Sequence, residues 1–521
     1  MTVQEQIQLG MNFHKAGKLA EAEKQYRLAL SRHGDHPDAL HLLGVIAFQT
    51  GNHREAADLI GKALALDPNK PAYHANAALA LMKLNRHDEA HEAYQRSVAL
   101  NPKLALTHVN MGNALAEAGL LDAAITAMER ALELEPNHAE ALYNLGTAYI
   151  LMGRRDFGPP AAAAFERAVQ CFRKALEQKP DWREAINNLG HTLCRLGRFD
   201  EAQEAYRQAV LRRPDCASSH FGYAVMLLRK GEFAQGWREY EWRLRAAELG
   251  IRSLKVPMPR WDGGDLSGKT ILLCAEQGLG DTIFFSRFVP LVAQRAGKVT
   301  VAVQPDLLAL LRSISAQTRW IALGEQVGVC DAYCPLPSLP GVMRTNLTNI
   351  PAEAPYLRAD AELSQKWRAR LPQGRPKVGL VWAGKSQQHI DRERSLPLAQ
   401  LAPLAQNGAW LVSLQKGEAA RQVAASKFPI ADWTDELKDF SDTAALVDNL
   451  DLVVTVDTAV AHLAGAMGKP VWMLLPFVPD WRWMLERNDS PWYPTMRLFR
   501  QEKLGDWEAP VSQMALALRE L

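Results

Sequence analysis

The sequence predicts an α-helical repeat solenoid in its first half, followed by two α/β lobes with Rossmann-like parallel sheets. Three observations predict this: small residues recurring every 34 positions, a break in composition near Leu249, and strand–helix alternation from Thr270 to Leu475. At 521 residues the chain exceeds what a single hydrophobic core organises.

The repeats come first. Gly10, Gly44, Ala78, Gly112, Gly146, Gly190 and Ala224 are separated by 34, 34, 34, 34, 44 and 34 positions. Ala22, Ala56, Ala90 and Ala124 keep the same interval, as do Pro68, Pro102 and Pro136, and Pro180 and Pro214 restart it. Small residues at two fixed helix positions let paired helices approach, and a closing proline stops the second helix. This pattern is the tetratricopeptide signature. The 44-residue step places about ten extra residues in the fifth repeat, near 153–165, where Gly158-Pro159-Pro160 breaks the helical pattern. Six full repeats are expected, then a degenerate seventh pair from Asp215 to Leu249. Its aromatics (Phe221, Tyr223, Phe233, Trp237, Tyr240, Trp242) are expected to dock the solenoid on the next domain. A plain capping helix with a buried end would need some of the same side chains.

Asn76, Asn110, Asn144 and Asn188 sit two residues before the small residue in four consecutive repeats. Helix interiors disfavour Asn, so a column of four asks for a reason. Amides lining the inner surface of a superhelix can donate to and accept from an extended peptide backbone. A ladder bonding only neighbouring repeats explains the column equally simply.

Ser253–Lys269 is rich in Pro and Gly and reads as a linker. Expected strands are Thr270–Cys274, Val299–Val303, Lys377–Trp382, Trp410–Leu414, Leu452–Val456 and Val471–Leu475. Expected helices are Thr282–Arg295, Leu307–Ile314, Leu398–Ala405, Thr443–Asn449 and Thr458–Met467, with residues 331–357 irregular. Such alternation implies doubly wound parallel sheets with a cleft at the carboxyl ends of the strands. The predicted organisation is a solenoid over 1–249, a linker over 250–268, a first lobe over 269–372 and a second over 373–521. The aromatic tail from Trp481 is expected to cross back over the first lobe.

Three stretches carry chemistry. Gly278-Leu279-Gly280-Asp281 joins a strand to a helix, and its glycines let the backbone approach a ligand. Asp281 reads either as a helix N-cap or as a base that takes a proton from an acceptor hydroxyl. Thr455-Val-Asp457-Thr458-Ala459-Val-Ala-His462 follows a strand and opens a helix whose free N–H groups attract a diphosphate. His462 lies one turn inward, as a ligand of phosphate or sugar or as a core histidine. Gly384-Lys385-Ser386 through Arg392-Glu-Arg394-Ser395 is a polar loop whose cations suit a pyrophosphate or form a solvated charge run. Lys416, after the next strand, is a weaker candidate of the same kind. Gly379-Leu-Val-Trp-Ala-Gly384-Lys385-Ser386 spells a P-loop, but the residues between its glycines are themselves the strand, which excludes that geometry.

Composition narrows the classes further. A net charge of +2 with no Lys/Arg stripe argues against nucleic acid. No run of 18 apolar residues argues for a membrane span. Met1-Thr-Val-Gln-Glu5 lacks the basic and apolar regions of a signal peptide, so a cytoplasmic location is expected. Six cysteines without framework spacing read as reduced thiols, and Cys330-x-x-x-Cys334 has no second ligand pair for zinc.

Glu276-Gln-Gly-Leu-Gly-Asp281, Val381-Trp-Ala-Gly384, Arg394-Ser-Leu-Pro397 and Asp457-Thr-Ala-Val-Ala-His-Leu-Ala-Gly-Ala466 with Gly468-Lys-Pro470 resemble the tetratricopeptide-containing relatives of glycosyltransferase family 9. That family includes the bacterial ADP-heptose:lipopolysaccharide heptosyltransferases, and the match runs from about Trp261 to Phe499. The resemblance implies a GT-B fold and Asp281 as general base. It implies a donor diphosphate held by Asp457, Thr458, the Ala459 backbone and His462, to which the residues themselves add Gly280, Gly384, Lys385, Arg392, Arg394 and Lys416 as donor-side candidates. The family's glycine is Ala459 here and its lysine is replaced by Arg394, so a heptose donor is not implied. The Asn column is similar to that of the O-GlcNAc transferases, where it grips acceptor polypeptide. Together these imply an inverting transfer from a nucleotide-diphosphate sugar, with no cofactor, to a protein Ser or Thr. No Asp-x-Asp motif is present to hold a metal. Repeat-bearing transferases of this look include ones that modify flagellin, which makes a surface protein the expected partner. Polysaccharide glycosylation with the repeats serving assembly, and a catalytically silent scaffold, are the alternatives.

Overall fold

The computed structural model describes residues 1–156, 159–246, 250, 256–384 and 393–520. Gly158, Lys385 and Arg392 lie outside the described residues. The chain forms two compact units, residues 1–156 with 160–192, and residues 157–159 with 193–521.

Among the described residues the repeats form seven helix pairs, from Val3–Lys15 with Leu19–His33 to Ala217–Arg229 with Phe233–Tyr240. One recurring contact closes the pairs. A Cβ added at Gly10 would lie 2.4 Å from Tyr26 Cε1, and one at Gly44 2.5 Å from Ile60 Cγ1. At Gly112 it would meet Met128 Cγ at 2.7 Å, and at Gly146 Phe172 Cε1 at 2.8 Å. Each glycine on the first helix therefore clears space for a bulky apolar residue on the second. Ala22, Ala56, Ala90 and Ala124 are fully buried at the complementary position. Burying each large side chain contributes about 1.5–3 kcal/mol, so the small column is what makes the pair stable.

The fifth repeat absorbs its extra residues as helix. Ala139–Arg155 has 17 residues where Pro37–Gln49 has 13. Pro159–Gln178 has 20 where His53–Leu66 has 14. The lengthened helices meet at Gly153, where a Cβ would fall 2.7 Å from Phe165 Cε1.

In the second unit, β1 (Thr270–Cys274), β2 (Lys298–Val303), β3 (Arg319–Ala322) and β4 (Ala332–Pro335) form a parallel sheet in the order β3-β2-β1-β4. A second parallel sheet runs β10-β9-β8-β5-β6-β7. Its strands are β5 (Lys377–Val381), β6 (Trp410–Ser413), β7 (Ala431–Asp432), β8 (Leu452–Val456), β9 (Val471–Leu475) and β10 (Met496–Arg500). Both lobes are thus Rossmann-like, consistent with a GT-B arrangement. Strand order reverses between β1 and β4 in the first and between β5 and β8 in the second, which is where such sheets bind ligands. Gly379 lies within β5, where a Cβ would fall 2.6 Å from Leu414 Cδ1, so this glycine packs the sheet and cradles no phosphate.

Several expectations change. The stretch 331–357 contains β4 and a short helix, Leu339–Val342. The apolar run after Gly280 is two helices, Leu279–Ser286 and Val289–Ala293, because Pro290 suits a first turn and not an interior. Leu398–Asn407 is a 3-10 helix. Helix Ala361–Arg368, assigned by sequence to the first lobe, is tied to the second: Ser364 Oγ donates to Asp448 Oδ2 at 2.5 Å. As expected, the tail crosses onto the first lobe, where Arg482 bonds Asp281 and Arg287 Nη1 donates to Trp492 O at 2.7 Å. It then returns as β10 beside β9 and as helix Glu508–Leu518 in the second lobe's core.

The seventh helix pair packs on the lobes. Trp237 Nε1 donates to Thr345 O at 2.9 Å, and the Trp237 ring meets Trp481 edge-on at 5.2 Å. Arg243, fully buried, reaches Glu276 Oε1 and Oε2 at 2.8 Å each and Ser338 Oγ at 2.7 Å. The first acid of the Glu276–Asp281 motif is therefore a docking residue for the repeats.

Candidate active site

At the end of β1 the chain turns through Glu276–Gly278 into helix Leu279–Ser286. Asp281 is not the N-cap, which is Gly278; it sits in the helix's first turn and its Oδ2 accepts from Gly278 N–H at 3.0 Å, supporting the cap from within. Its other oxygen accepts from Arg482 Nη2 at 2.5 Å. Arg482 Nη1 donates to Asp480 Oδ1 at 2.9 Å, and the guanidinium lies over the rings of Trp481 and Phe284 at 4.5 and 4.7 Å. The Asp281 side chain keeps 26% of its surface exposed and Arg482 only 7%. Burial raises the Asp281 carboxyl above its ordinary pKa, while Arg482 pulls it back. Burial works against the Arg482 cation too, but Asp480 and Asp281 outweigh it and hold the guanidinium charged.

The end of β8 supplies the facing half. Asp457 and Thr458 lead into helix Ala459–Ala466, and neither side chain caps it. Thr458 Oγ1 lies instead 3.1 Å from Thr455 Oγ1. Uncapped N–H groups at a helix start attract an anion. Burial, followed by the nearby Asp480, pushes the Asp457 carboxyl up to about 6, against Arg394 and the adjacent Trp483 indole. Arg394 Nη1 donates to Asp457 O at 2.8 Å.

The two helix starts meet at Gly280. A Cβ there would lie 3.0 Å from His462 Cδ2 and 3.3 Å from Ala459 Cα. Glycine permits this approach, which brings Asp281, Ala459 and His462 together across the lobes. His462 is 5% exposed, stacks on Trp483 at 5.4 Å and bonds Tyr493 Oη through Nδ1 at 3.0 Å. Burial, then Arg482, Arg287 and Arg394, push its pKa well below the ordinary value, so the imidazole is neutral.

The remaining candidates separate. Gly384 N–H donates to Ser395 Oγ at 3.0 Å, beside the switch point after β5. Lys416 differs from expectation: its ammonium donates to Thr434 O and Leu437 O at 2.6 Å each and ties down that loop. In the repeats, Asn76 Nδ2 lies 2.8 Å from His41 Nε2, and Asn188 Nδ2 donates to the Tyr143 hydroxyl at 3.3 Å. Asn110 and Asn144 are half-buried, and their amides make no hydrogen bond among the described residues.

Sequence reasoning missed Asp480, Arg482, Trp483 and Tyr493, which complete the site from the segment after β9. The alternation of tryptophan and arginine in Trp481-Arg482-Trp483 was the available signal. It missed Gln415 as well, whose Oε1 accepts from Trp382 and Ala383 N–H at 3.0 and 2.8 Å and fixes the end of β5. Among the described residues, no helix is long and apolar enough to cross a membrane.

Residues 355–474 match the model of glycosyltransferase family 9 (heptosyltransferase). Residues 7–71 and 187–236 match one tetratricopeptide-repeat model, and 78–119 and 112–153 another. Protein FlbA of Caulobacter vibrioides is 30% identical over 364 residues, covering 61% of this chain and 59% of FlbA, so the chain matches less than two thirds of that relative's length. Among solved structures, PilW, a widely conserved type IV pilus biogenesis factor, is 18% identical over 42% of this chain and 96% of its own, with a TM-score of 0.38. MamA is 24% identical over 33% of this chain and 95% of its own, with a TM-score of 0.29. The chain carries tetratricopeptide repeats together with a glycosyltransferase family 9 domain. The family match takes in Gly384, Arg394, Lys416, Asp457, Ala459 and His462, and Asp281 lies before it.

Proposed function

We propose that this glycosyltransferase moves a sugar from a nucleoside-diphosphate donor to a Ser or Thr hydroxyl of a polypeptide bound by the repeats, with inversion and without a metal ion. The observation that carries the reading is the meeting of two helix starts at Gly280, with a carboxylate on one and an uncapped anion site on the other.

Asp281 accepts the proton of the acceptor hydroxyl as its oxygen bonds to the anomeric carbon. The bond from that carbon to the diphosphate oxygen breaks, and the electron pair leaves with the diphosphate. One displacement on one face inverts the centre. The leaving charge falls on the N–H groups opening helix Ala459–Ala466, on Arg394 and on His462, all placed before the reaction begins. An acceptor polypeptide is supported by the Asn110 and Asn144 amides, whose donors and acceptors suit an extended backbone.

Co-expression with candidate acceptors, followed by intact-mass measurement, tests this reading. A sugar-sized mass increase is expected on a protein that the full chain retains, and none when Asp281 is replaced by Asn. A thermal-shift screen of nucleoside diphosphates identifies the donor base, since ligand at 100 times its Kd stabilises by about 2.7 kcal/mol. No shift with any nucleotide and no mass change on any retained protein would leave a scaffold and sink the enzyme reading.

A further inference from the structure

We infer that Tyr493 fixes His462 as the tautomer that carries its proton on Nε2, making this imidazole a hydrogen-bond donor at the helix start and not a base. The inference stands on four hydrogen bonds and one glycine. A Cβ at Gly465 would fall 2.7 Å from Tyr493 Cδ1, so only glycine lets the phenol lie against helix Ala459–Ala466. There Tyr493 Oη is 3.0 Å from His462 Nδ1 and 3.4 Å from Tyr356 Oη. Tyr356 is already committed: its hydroxyl donates to Ile283 O at 3.1 Å and accepts from Arg287 Nη2 at 3.3 Å. The Tyr493 hydrogen thus has two destinations. A separation of 3.4 Å is long for a bond between hydroxyls, which prefer about 2.7–2.8 Å, so the imidazole nitrogen is the better acceptor.

The surrounding charge leads the same way. Arg287 is 4% exposed, and its guanidinium lies over the Tyr493 ring at 4.4 Å. It bonds carbonyls of Phe284 and Trp492 and the Tyr356 hydroxyl, and among the described residues it pairs with no carboxylate that would cancel its positive charge. Such a neighbour disfavours imidazolium, and a neutral ring has one N–H to place. With Nδ1 accepting, that hydrogen sits on Nε2. Nε2 is bonded to Cδ2, the ring atom facing Gly280, so the donor edge opens where the two helix starts meet. Trp483 on the ring face and Phe284 at its edge hold this orientation. Tyr493 is therefore a positioning residue that acts through His462.

The tautomer belongs to the ligand-free protein, while a role towards the diphosphate rests on the proposed glycosyl transfer. The test uses the full chain with 15N-labelled histidine and long-range 1H–15N correlation, His462→Gln supplying the assignment. Wild type is expected to show His462 protonated on Nε2, and Tyr493→Phe to lose that fixed form. Pyrophosphate is expected to bind Tyr493→Phe about ten-fold more weakly. His462 protonated on Nδ1 in wild type, or an unchanged Nε2 pattern in Tyr493→Phe, overturns the inference. If the variant does not fold, the wild-type spectrum alone decides. If Nε2 carries the proton but pyrophosphate does not bind wild type, the tautomer stands and the donor-site reading falls.

Discussion

Arg482 Nη2 lies 2.5 Å from Asp281 Oδ1, joining residues 201 positions apart, while Arg482 Nη1 holds Asp480. Both oxygens of Asp281 are thereby oriented, one by Gly278 N–H and one by the guanidinium fork. The cation favours the charged form of Asp281, against the burial that raises its pKa. Its removal by Arg482→Met therefore raises that pKa further. A base must be unprotonated, so the acid limb of the kcat/KM profile is expected to move to higher pH in Arg482→Met. Arg482→Lys should retain charge but lose the fork, giving an intermediate profile. Coincident pH–rate profiles for wild type and Arg482→Met would remove Arg482 from the mechanism.

Asp281→Asn separates the cap-supporting role from the chemical one. The Asn amide oxygen still accepts from Gly278 N–H and Arg482 keeps Asp480, so the variant should stay folded and lose less than the about 3–5 kcal/mol of a wholly unmatched buried charge. The transfer rate should fall about 10²–10⁴-fold, as expected for loss of a general base. Rate measurement beside a denaturation curve checks both, and wild-type turnover in a folded variant would end the assignment.

Gly280→Ala tests the meeting of the helix starts. The added methyl lands 3.0 Å from His462 Cδ2 and 3.3 Å from Ala459 Cα, closer than ordinary contact. The neighbours must give way, and overpacking of this kind costs typically about 1–3 kcal/mol. Nucleotide affinity is expected to fall, with the repeats unaffected. Calorimetric titration of the nucleotide found by thermal shift provides the measurement.

The repeat architecture was legible because its packing is written as a period: Gly10 against Tyr26 and Gly44 against Ile60 use the same spacing. Strands β1, β5, β8 and β9 were legible as apolar runs. In contrast, β3 begins Arg319-Trp320, β7 has two residues, and β10 alternates with exposed Arg497, so none reads as a buried run. Asp281, Ala459 and His462 could be found because a strand that ends in a glycine or aspartate before a helix has local meaning. Arg482 and Tyr493 could not, since each gains its role from a partner distant in sequence. Lys416 shows the converse: a cation after a strand resembles a ligand residue, but two carbonyls in the fold claim it.

The docking of the last repeat on the first lobe rests on the pair Arg243–Glu276, with side chains 0% and 3% exposed. Breaking one partner of a buried pair typically costs about 3–5 kcal/mol, because the other charge is left unmatched. Arg243→Met should therefore destabilise the second unit by that order in urea unfolding. The double variant Arg243→Met/Glu276→Leu should recover much of the loss. Additive losses would mean that the two residues act independently.

The asparagine column divides by its bonds, and that division gives the sharpest test of the acceptor. Asn76 and Asn188 are engaged by His41 and Tyr143 of the preceding repeats, and burial pushes the His41 pKa down to about 4, leaving its Nε2 free to accept. Replacing these two asparagines by Ala removes hydrogen bonds of the solenoid itself, each contributing about 0.5–1.5 kcal/mol. That pair should lower repeat stability. Asn110 and Asn144 spend nothing on the repeats, so Asn110→Ala/Asn144→Ala should leave unfolding within about 0.5 kcal/mol of wild type. If their amides bond an acceptor backbone, acceptor affinity should fall about ten-fold in this variant. Binding of the modified protein identified by intact mass, measured beside urea unfolding for both double variants, decides the matter. Unchanged affinity in Asn110→Ala/Asn144→Ala would reduce the column to an internal ladder and remove the physical argument for a polypeptide acceptor.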